Sequence, residues 1–273
     1  MNRISVFYAH ICEAAQQREK SIEDTLYAAC GFGITALECD IQQLEDTPAV
    51  RRLFESCAME VSSVYGSFDF PHDSIAVSHK KIDCFLEKAA EFNTDKVLCI
   101  PGFFHESDDK KSVFPRVCEL ISFMCDRAEQ YGITVTVEDY DDISSPCCTS
   151  KQLLSLVKCC PKLRLTFDTG NFLYCGEDAL SLYDILLPYV VHIHCKDRLY
   201  SPACPAEERS VKQAVNGDLL YPSPCCEGVV KLPQILRKAL GSGYKGTFAI
   251  EHFGAADQLA YMERSAQAIL NRL

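Results

Sequence analysis

Two histidines one residue apart, followed by three charged residues, occur in the stretch VVHIHCKDR, residues 190–198. The apolar start of this stretch predicts a buried strand, where polar side chains are costly unless they meet a partner or a ligand. Imidazole nitrogens bind metal ions and transfer protons near neutral pH. The residues that end the other predicted strands indicate which of these roles applies.

Acidic residues end three further predicted strands, at Glu138 (TVTVE), Asp168 (LTFD) and Glu251 (TFAIE), and His194 ends the strand HIH. Side chains alternate between the two faces of a strand, and each of these four lies on the face opposite bulky apolar residues. We therefore expect the four side chains to project inward at one end of a barrel. His192 would lie one layer beneath His194.

Three carboxylates and an imidazole that converge at one point would hold unfavourable charge without a cation. Oxygen donors with a single nitrogen suit a hard or borderline divalent ion better than one that prefers thiolates. A lone aspartate at a strand end is more often a helix cap, but matching positions on four consecutive strands are hard to explain in that way. The sequence predicts one divalent metal ion, with Mn²⁺ as the first expectation and Mg²⁺, Co²⁺ or Zn²⁺ as alternatives.

Short β-rich runs alternate with longer amphipathic segments along the whole chain, a pattern that predicts parallel strands joined by helices. Strands are predicted over residues 4–8, 34–39, 60–65, 96–100, 133–138, 163–168, 190–194 and 246–251. Helices are predicted near residues 18–30, 48–58, 74–92, 111–131, 149–159, 178–187, 230–240 and 256–272. Eight such units in 273 residues predict an α/β protein with a single (β/α)8 barrel domain over residues 1–273, because such barrels are typically about 250 residues long.

The connection from Cys195 to Gly228 is far longer than the few residues usual between elements. It follows the seventh predicted strand on the face where barrel enzymes build their active sites. We expect it to form a lid or a substrate-binding loop.

The net charge of −11 argues against a nucleic-acid partner, because such proteins neutralise phosphates with lysine and arginine. No apolar run approaches the roughly 20 residues of a membrane helix, so no membrane partner is expected. The N-terminus enters a strand-like segment directly, without a signal-peptide pattern. These features predict a cytoplasmic protein.

The chain contains 17 cysteines, an odd number, and many lie within apolar patterns. We interpret most of them as small buried hydrophobic residues in a reducing compartment. Three doublets, Cys147-Cys148, Cys159-Cys160 and Cys225-Cys226, could bind metal, but no C-x-x-C spacing occurs, which argues against a zinc knuckle.

Four motifs in order resemble the xylose isomerase-like TIM barrel family, a group that includes sugar phosphate isomerases and epimerases, inosose dehydratase and AP endonucleases of family 2. The motifs are VTVEDYDD (135–142), LTFDTGNF (165–172), VVHIHCKDR (190–198) and GYKGTFAIEHF (243–253). The resemblance implies that Glu138, Asp168, His194 and Glu251 bind the metal ion. It also implies that Glu138 and Glu251 are the catalytic acid/base pair.

The resemblance implies an isomerase or epimerase that moves a proton through a metal-stabilised enediolate of a sugar or sugar phosphate. A dehydratase of a keto-polyol, as in inosose or dehydroshikimate dehydration, is the nearest alternative. A non-catalytic sugar-binding or accessory subunit is the alternative of another class. Ile100 and Asn171 stand where the nuclease has metal-binding histidines. Asn171 and Ser144 replace a histidine and an acidic residue of the ketose 3-epimerases, which puts the epimerisation of free ketoses in doubt.

The predicted substrate-binding residues surround the metal ligands in sequence: Asn171, Lys196, Arg198, His192 and Glu38. Lys196 and Arg198 could bind a phosphate or carboxylate, or could be exposed charges where a loop begins. His192 could instead support the site from below. The expected partner is a small carbohydrate substrate, and the chain could form a homo-oligomer.

His105, Glu106 and Asp108 occupy a polar loop after the fourth predicted strand. The simplest interpretation is that they are solvated.

Overall fold

Eight parallel strands close into a barrel in the computed structural model of this chain, which describes residues 2–200 and 210–273. Neighbours along the chain pair from β1 to β7, and β10 closes the barrel by pairing with both β7 and β1. The strands are β1 (Ile4–Phe7), β2 (Ala36–Asp40), β3 (Glu60–Ser67), β4 (Lys96–Ile100), β5 (Thr134–Val137), β6 (Arg164–Asp168), β7 (Val190–Tyr200), β8 (Lys212–Gln213), β9 (Leu219–Ser223) and β10 (Phe248–Glu251). The predicted (β/α)8 barrel is confirmed.

Helices surround the barrel and cover its strands. They are α1 (Tyr8–Gln17), α2 (Ile22–Gly31), α3 (Thr47–Ser56), α4 (Ile75–Ala90), α5 (Lys110–Glu129), α6 (Ser150–Cys159), α7 (Ala179–Leu186), α8 (Leu232–Gly241) and α9 (Gln258–Leu270). Hydroxyl side chains accept backbone N–H groups at the start of several helices, as Ser74 does for α4 and Thr149 for α6. These bonds satisfy donors that a helix leaves free at its first turn.

The helix predicted near residues 18–30 corresponds to α2 (Ile22–Gly31). The sequence analysis missed α1, which begins at Tyr8, directly after β1. Ile11, Ala14 and Ala15 are buried at helical spacing within α1, so this short segment has its own apolar face toward the core. The helix directly follows a strand and its apolar pattern is short, so the sequence alone does not reveal it.

Strand β7 continues to Tyr200 instead of ending at His194, so the prediction that a loop begins at Cys195 was wrong. Beyond the barrel, Asp197–Tyr200 pair with the antiparallel strand β9, which in turn pairs with β8. The returning chain supplies hydrogen-bond partners that keep this half of β7 extended. Residues 201–209 of the predicted lid loop lie outside the described residues.

A buried carboxylate fastens the returning chain to β7. Oδ1 of Asp197 accepts the N–H groups of Arg198 (2.9 Å) and Val230 (3.0 Å), and Oδ2 accepts that of Gly228 (3.0 Å). A Cβ atom at Gly228 would lie only 2.2 Å from the carbonyl oxygen of Arg198. This close approach of the returning chain to β7 explains why residue 228 is a glycine. The bonds to Asp197 hold the two segments together.

We expect Asp197→Ala to lower the free energy of unfolding by roughly 3 kcal/mol, because buried N–H groups lose a charged acceptor. Urea denaturation of the metal-free protein measures this change. Asp184→Ala is the control: its carboxylate pairs with Lys238 on the surface, where an ion pair contributes at most about 1 kcal/mol. Equal losses in the two variants would contradict the structural role of Asp197.

All cysteines among residues 2–200 and 210–273 are free thiols, and most are buried. In this part of the chain none belongs to a group of side chains that could hold a metal ion. None of the described helices is both long and apolar enough to cross a membrane.

Candidate metal centre and active site

Four successive barrel strands bring the predicted metal ligands together at the mouth of the barrel. Asp168 and Glu251 end β6 and β10, Glu138 follows the last residue of β5, and His194 lies within β7. One donor atom from each residue lies within 4.8 Å of the other three. We call these four residues the metal cage; all four are buried.

The imidazole of His194 lies at the centre of the cage. Its Nδ1 atom is 2.8 Å from Oε2 of Glu138, 3.1 Å from Oε2 of Glu251 and 3.9 Å from Oδ2 of Asp168. One nitrogen therefore faces three carboxylates, and a single cation could contact all four groups. This arrangement could hold one divalent ion through three oxygens and one nitrogen.

Asp168 is oriented so that one of its oxygens is left for a cation. Oδ1 accepts the backbone N–H groups of Gly170 and Asn171, each at 2.7 Å. Oδ2 is buried and has no hydrogen-bond partner among the described residues. A buried polar atom without a partner is costly, and a metal ion at the cage would remove that cost. The residues present thus fit a bound divalent ion.

The metal-free cage has strongly shifted pKa values. Burial raises the pKa of Asp168 well above its usual range and also raises that of Glu138. Burial acts in the same direction on Glu251, but the Lys196 ammonium and the His194 imidazole hold its pKa well below the usual range. Although burial opposes the charge of His194, Glu38 and Glu138 hold its pKa well above the usual range. Without a metal ion, burial thus favours the protonated forms of Asp168 and Glu138, and the neighbouring carboxylates favour that of His194.

Glu38 and His192, both predicted to bind substrate, lie beneath the cage and do not line the cavity at the barrel mouth. Oε2 of Glu38 is 2.9 Å from Nε2 of His192 and 3.1 Å from Nε2 of His194. A carboxylate on Nε2 fixes the ring of His194 with Nδ1 toward the cage. The structure therefore places these two residues where they orient His194.

A cavity of about 270 Å³ opens above the cage. Its walls include Tyr65 and Tyr140, and Asn171, Lys196 and Arg198 of the predicted substrate-binding set also line it. A larger cavity of about 530 Å³ lies at the opposite end of the barrel, next to Arg3 and Glu60. Barrel enzymes build their active sites at the carboxyl ends of the strands, so we assign the smaller cavity as the candidate active site.

Lys196 and Arg198 are buried within β7, so the interpretation as exposed charges at a loop start was wrong. Nζ of Lys196 lies 2.5 Å from Oε1 of Glu251 and 4.0 Å from Oδ2 of Asp168. Nη2 of Arg198 lies 2.9 Å from Oδ2 of Asp141. Because side chains alternate along a strand, both residues point to the same face as His194.

Sequence reasoning missed two aspartates of the motif VTVEDYDD. Asp141 holds Arg198 beside the cavity, and Lys212 of β8 lies 3.6 Å from the same carboxylate. Asp139 is buried and accepts the backbone N–H of Asp168 at 3.2 Å, while its own carbonyl accepts the amide of Asn171. Four acidic residues within five positions, 138–142, were the available signal.

We expect metal binding at the cage to release protons, because Glu138, Asp168 and His194 all have raised pKa values and bind metal in their deprotonated forms. Deprotonation proceeds as the pH rises, so the apparent affinity for Mn²⁺ should increase about tenfold per pH unit for each proton released. Titration calorimetry in buffers of different ionisation enthalpy counts these protons. An affinity that is the same at about pH 6 and about pH 8 would contradict the protonated cage.

Comparisons with known proteins agree with this architecture. A curated inosose dehydratase from Bacillus thuringiensis (strain Al Hakam) is 32% identical over 90 residues, which cover 32% of this chain and 29% of the relative. A probable 3-DHS dehydratase involved in petrobactin synthesis from Bacillus anthracis superposes with a TM-score of 0.77 at 16% identity, over 99% of this chain and 100% of its own. An L-ribulose 3-epimerase superposes with a TM-score of 0.73 at 14% identity, over 100% and 95% of the two chains.

The solved structures share the fold at low identity, and the sequence match to the dehydratase spans less than a third of either chain. The family model for the xylose isomerase-like TIM barrel covers much more, since it matches residues 26–272. That range contains all four residues of the metal cage and every strand from β2 to β10. This chain therefore belongs to the xylose isomerase-like TIM barrel family.

Proposed function

We propose that this chain is a metal-dependent isomerase or epimerase of a small polyhydroxylated carbonyl compound. The observation that carries the proposal is the pair Glu138 and Glu251. These carboxylates come from strands separated by β6 and β7, and both contact His194 at the floor of the cavity. Two carboxylates that approach one bound molecule from different sides can remove a proton at one face and return one at another.

The two carboxylates differ in their surroundings, which suits an acid/base pair. Glu251 is held ionised by Lys196, whereas burial favours the protonated form of Glu138. Pairs of titratable groups whose environments separate their pKa values are typical of acid/base catalysis. With the metal ion bound, both carboxylates would be ionised ligands. Glu251, which lies beside Lys196, would remove the substrate proton in one direction of the reaction, and Glu138 in the other.

The proposed cofactor is one divalent ion held by Glu138, Asp168, His194 and Glu251. Three carboxylates and one imidazole favour Mn²⁺, with Mg²⁺, Co²⁺ and Zn²⁺ as alternatives. When bound, the ion would act as a Lewis acid toward neighbouring oxygens of the substrate. Glu38 and His192 would support this site by orienting His194.

Substrate recognition is proposed for Asn171, Lys196 and Arg198, which line the cavity. Nε of Arg198 is buried and has no hydrogen-bond partner among the described residues, which leaves it available to an anionic or hydroxyl group. A volume of about 270 Å³ suits a single sugar-sized molecule, since ligand pockets usually start near 300 Å³. We propose a carbohydrate or carbohydrate phosphate as the substrate.

We expect Arg198→Met to raise KM about tenfold or more while kcat changes less, because it removes charged hydrogen bonds to the substrate. Steady-state kinetics with the substrate found below measures both constants. Arg264→Met is the control, since Arg264 pairs with Glu227 on the protein surface. A fall in kcat with an unchanged KM would contradict a binding role for Arg198.

Dehydration of a keto-polyol is the second candidate. The match to an inosose dehydratase favours it, and so does the position of Lys196. Its ammonium lies between Glu251 and Asp168, where a cation could assist the departure of a hydroxyl group after proton removal. The first step, removal of a proton beside a carbonyl, is common to both candidates.

Incubation of the Mn²⁺-loaded protein in deuterated water tests the proposal, with L-ribulose, inosose and 3-DHS as probes together with their available phosphate esters. An isomerase or epimerase incorporates deuterium at the carbon beside the carbonyl and yields an isomer. A dehydratase yields an unsaturated ketone that absorbs in the ultraviolet. A non-catalytic sugar-binding subunit shows only ligand-dependent melting, and that result would overturn the enzymatic proposal.

We also propose a cytoplasmic location and a homo-oligomeric state, both from the sequence. Light scattering after gel filtration measures the oligomeric state, and a monomer at micromolar concentration would contradict it.

A further inference from the structure

A second group of metal-binding side chains lies outside the cage, in the loops that follow β3 and β4. His72 is in the segment between β3 and α4, and His105 and Asp108 are in the segment between β4 and α5. One donor atom from each of the three lies within 4.8 Å of the others. We call these three residues the histidine cluster; it shares no residue with the cage.

The two imidazole rings of the histidine cluster lie face to face. Their centroids are 3.8 Å apart and their planes differ by 10°, and a ring nitrogen of each lies within 4.8 Å of the other and of an Asp108 oxygen. Nε2 of His72 is 2.9 Å from Oδ2 of Asp108. His105 and Glu106 are exposed, as expected, but a turn also brings His105 and Asp108 against His72.

Neighbouring bonds fix the donors of the histidine cluster in place. Oδ1 of Asp69 lies 2.7 Å from Nδ1 of His72, and the backbone N–H of His105 donates to Oδ2 of Asp108 at 2.6 Å. A carboxylate on the far nitrogen of an imidazole is the usual support of a metal-binding histidine, because it fixes the tautomer with the other nitrogen free.

Both ring nitrogens of His72 face carboxylates, Nδ1 that of Asp69 and Nε2 that of Asp108. A neutral imidazole has a single N–H, so one nitrogen would turn its lone pair toward an ionised carboxylate unless a proton or a metal ion lies between them. The cluster is open to solvent, with His72 and Asp108 side chains 25% and 15% exposed, so an ion from solution can enter.

We propose that His72, His105 and Asp108 bind a second metal ion, of the class of Zn²⁺, that joins the loops after β3 and β4. Two imidazoles and one carboxylate are typical protein ligands of Zn²⁺, and water completes the tetrahedron. This donor set is richer in nitrogen than the cage, so the two sites prefer different ions. The ion connects segments that continue Tyr65 of β3 and Ile100 of β4, two residues of the cavity wall.

Metal counting tests the proposal directly. Metal-free full-length protein is titrated with Zn²⁺ alone in a calorimeter, and bound zinc is measured after gel filtration; Co²⁺ in parallel gives the visible absorption bands of a tetrahedral site. We expect His105→Ala to bind one zinc ion fewer per chain than the unmodified protein. His105 is exposed, so this change should leave folding intact.

Two further variants make the result specific. His79→Ala removes another imidazole stacked on an aromatic ring, that of Phe123, and it should bind as many zinc ions as the unmodified protein. Asp69→Asn should lower the affinity of the histidine cluster about tenfold without abolishing it, because it weakens only the support of His72.

The outcome is separable from that of the proposed function, because Asp168→Asn affects the cage alone. If His105→Ala loses the zinc ion of the histidine cluster and Asp168→Asn keeps it, the proposal is supported. This result does not depend on whether the cage binds metal. Equal zinc counts in the unmodified protein and His105→Ala would overturn the proposal, as would an equal loss in His79→Ala, which indicates adventitious binding to surface imidazoles.

Discussion

Asp168→Asn is expected to lower the affinity of the cage for Mn²⁺ by more than about 100-fold, since even residues that only support a metal ligand contribute about 10–100-fold. Oδ2 of Asp168 has no hydrogen-bond partner among the described residues, and an amide lacks the charge that a divalent ion requires. Calorimetric titration of the metal-free variant measures the affinity, and bound metal after gel filtration checks it.

The same change should leave the metal-free protein at least as stable. Burial raises the pKa of Asp168, so the ionised carboxylate opposes folding at neutral pH, and a neutral amide removes that cost. The amide oxygen of this variant would still accept the N–H groups of Gly170 and Asn171, as Oδ1 of Asp168 does. If Asp168→Asn loses metal affinity while its stability is unchanged or higher, Asp168 is a metal ligand and not a residue that stabilises the fold.

Asp197→Asn is the matched control for this prediction. It makes the same chemical change at another buried aspartate, on β7, but Asp197 bonds backbone N–H groups of the returning chain and is not in the cage. It should keep the Mn²⁺ affinity and lose stability, because both oxygens of Asp197 accept backbone N–H groups whereas an amide has a single acceptor oxygen. If Asp168→Asn binds Mn²⁺ as tightly as the unmodified protein does, the assignment of the cage is wrong.

Glu138→Gln and Glu251→Gln, each saturated with Mn²⁺, are expected to lower kcat by about 10²- to 10⁴-fold, the usual contribution of a general acid or base. If two bases act at different faces, each variant stops interconversion but keeps one half of the exchange. Each should incorporate deuterium into only one of the two epimers, the one whose C–H bond faces the remaining carboxylate.

Mass spectrometry of each epimer in deuterated water measures this difference. Bound metal must be counted in both variants, because the two residues are also proposed ligands. Glu177→Gln is the control, since Glu177 accepts bonds from Ser150 away from the cage. If one variant loses all exchange and the other keeps it for both epimers, a single base acts and the two-base mechanism is excluded. That pattern is expected of the dehydratase alternative.

Much of the barrel could be predicted from the sequence because strand and helix periodicities are local properties of the chain. The positions of Asp168, His194 and Glu251 at the rim of the barrel follow from the same alternation, since parallel strands of one barrel reach the same rim. The start of α1 at Tyr8 could not be predicted in this way, because its apolar face is short and directly continues a strand.

The extension of β7 to Tyr200 depends on a distant partner. Nothing within residues 195–200 specifies an extended backbone; strand β9, some twenty residues later, supplies the hydrogen bonds. That pairing holds Arg198 in the cavity wall, and pairing with β10 holds Lys196 there, whereas the local sequence left both residues equally consistent with a solvated loop.

The sequence by itself determined the barrel and which four side chains point toward its mouth, because alternation along a strand and the common direction of parallel strands require no knowledge of distant contacts. Only the tertiary structure decided the contacts between strands and loops that are far apart in the chain. It placed Glu38 and His192 under His194, directed Lys196 toward Glu251, and brought His72 against His105, since each of these distances depends on how separate segments pack.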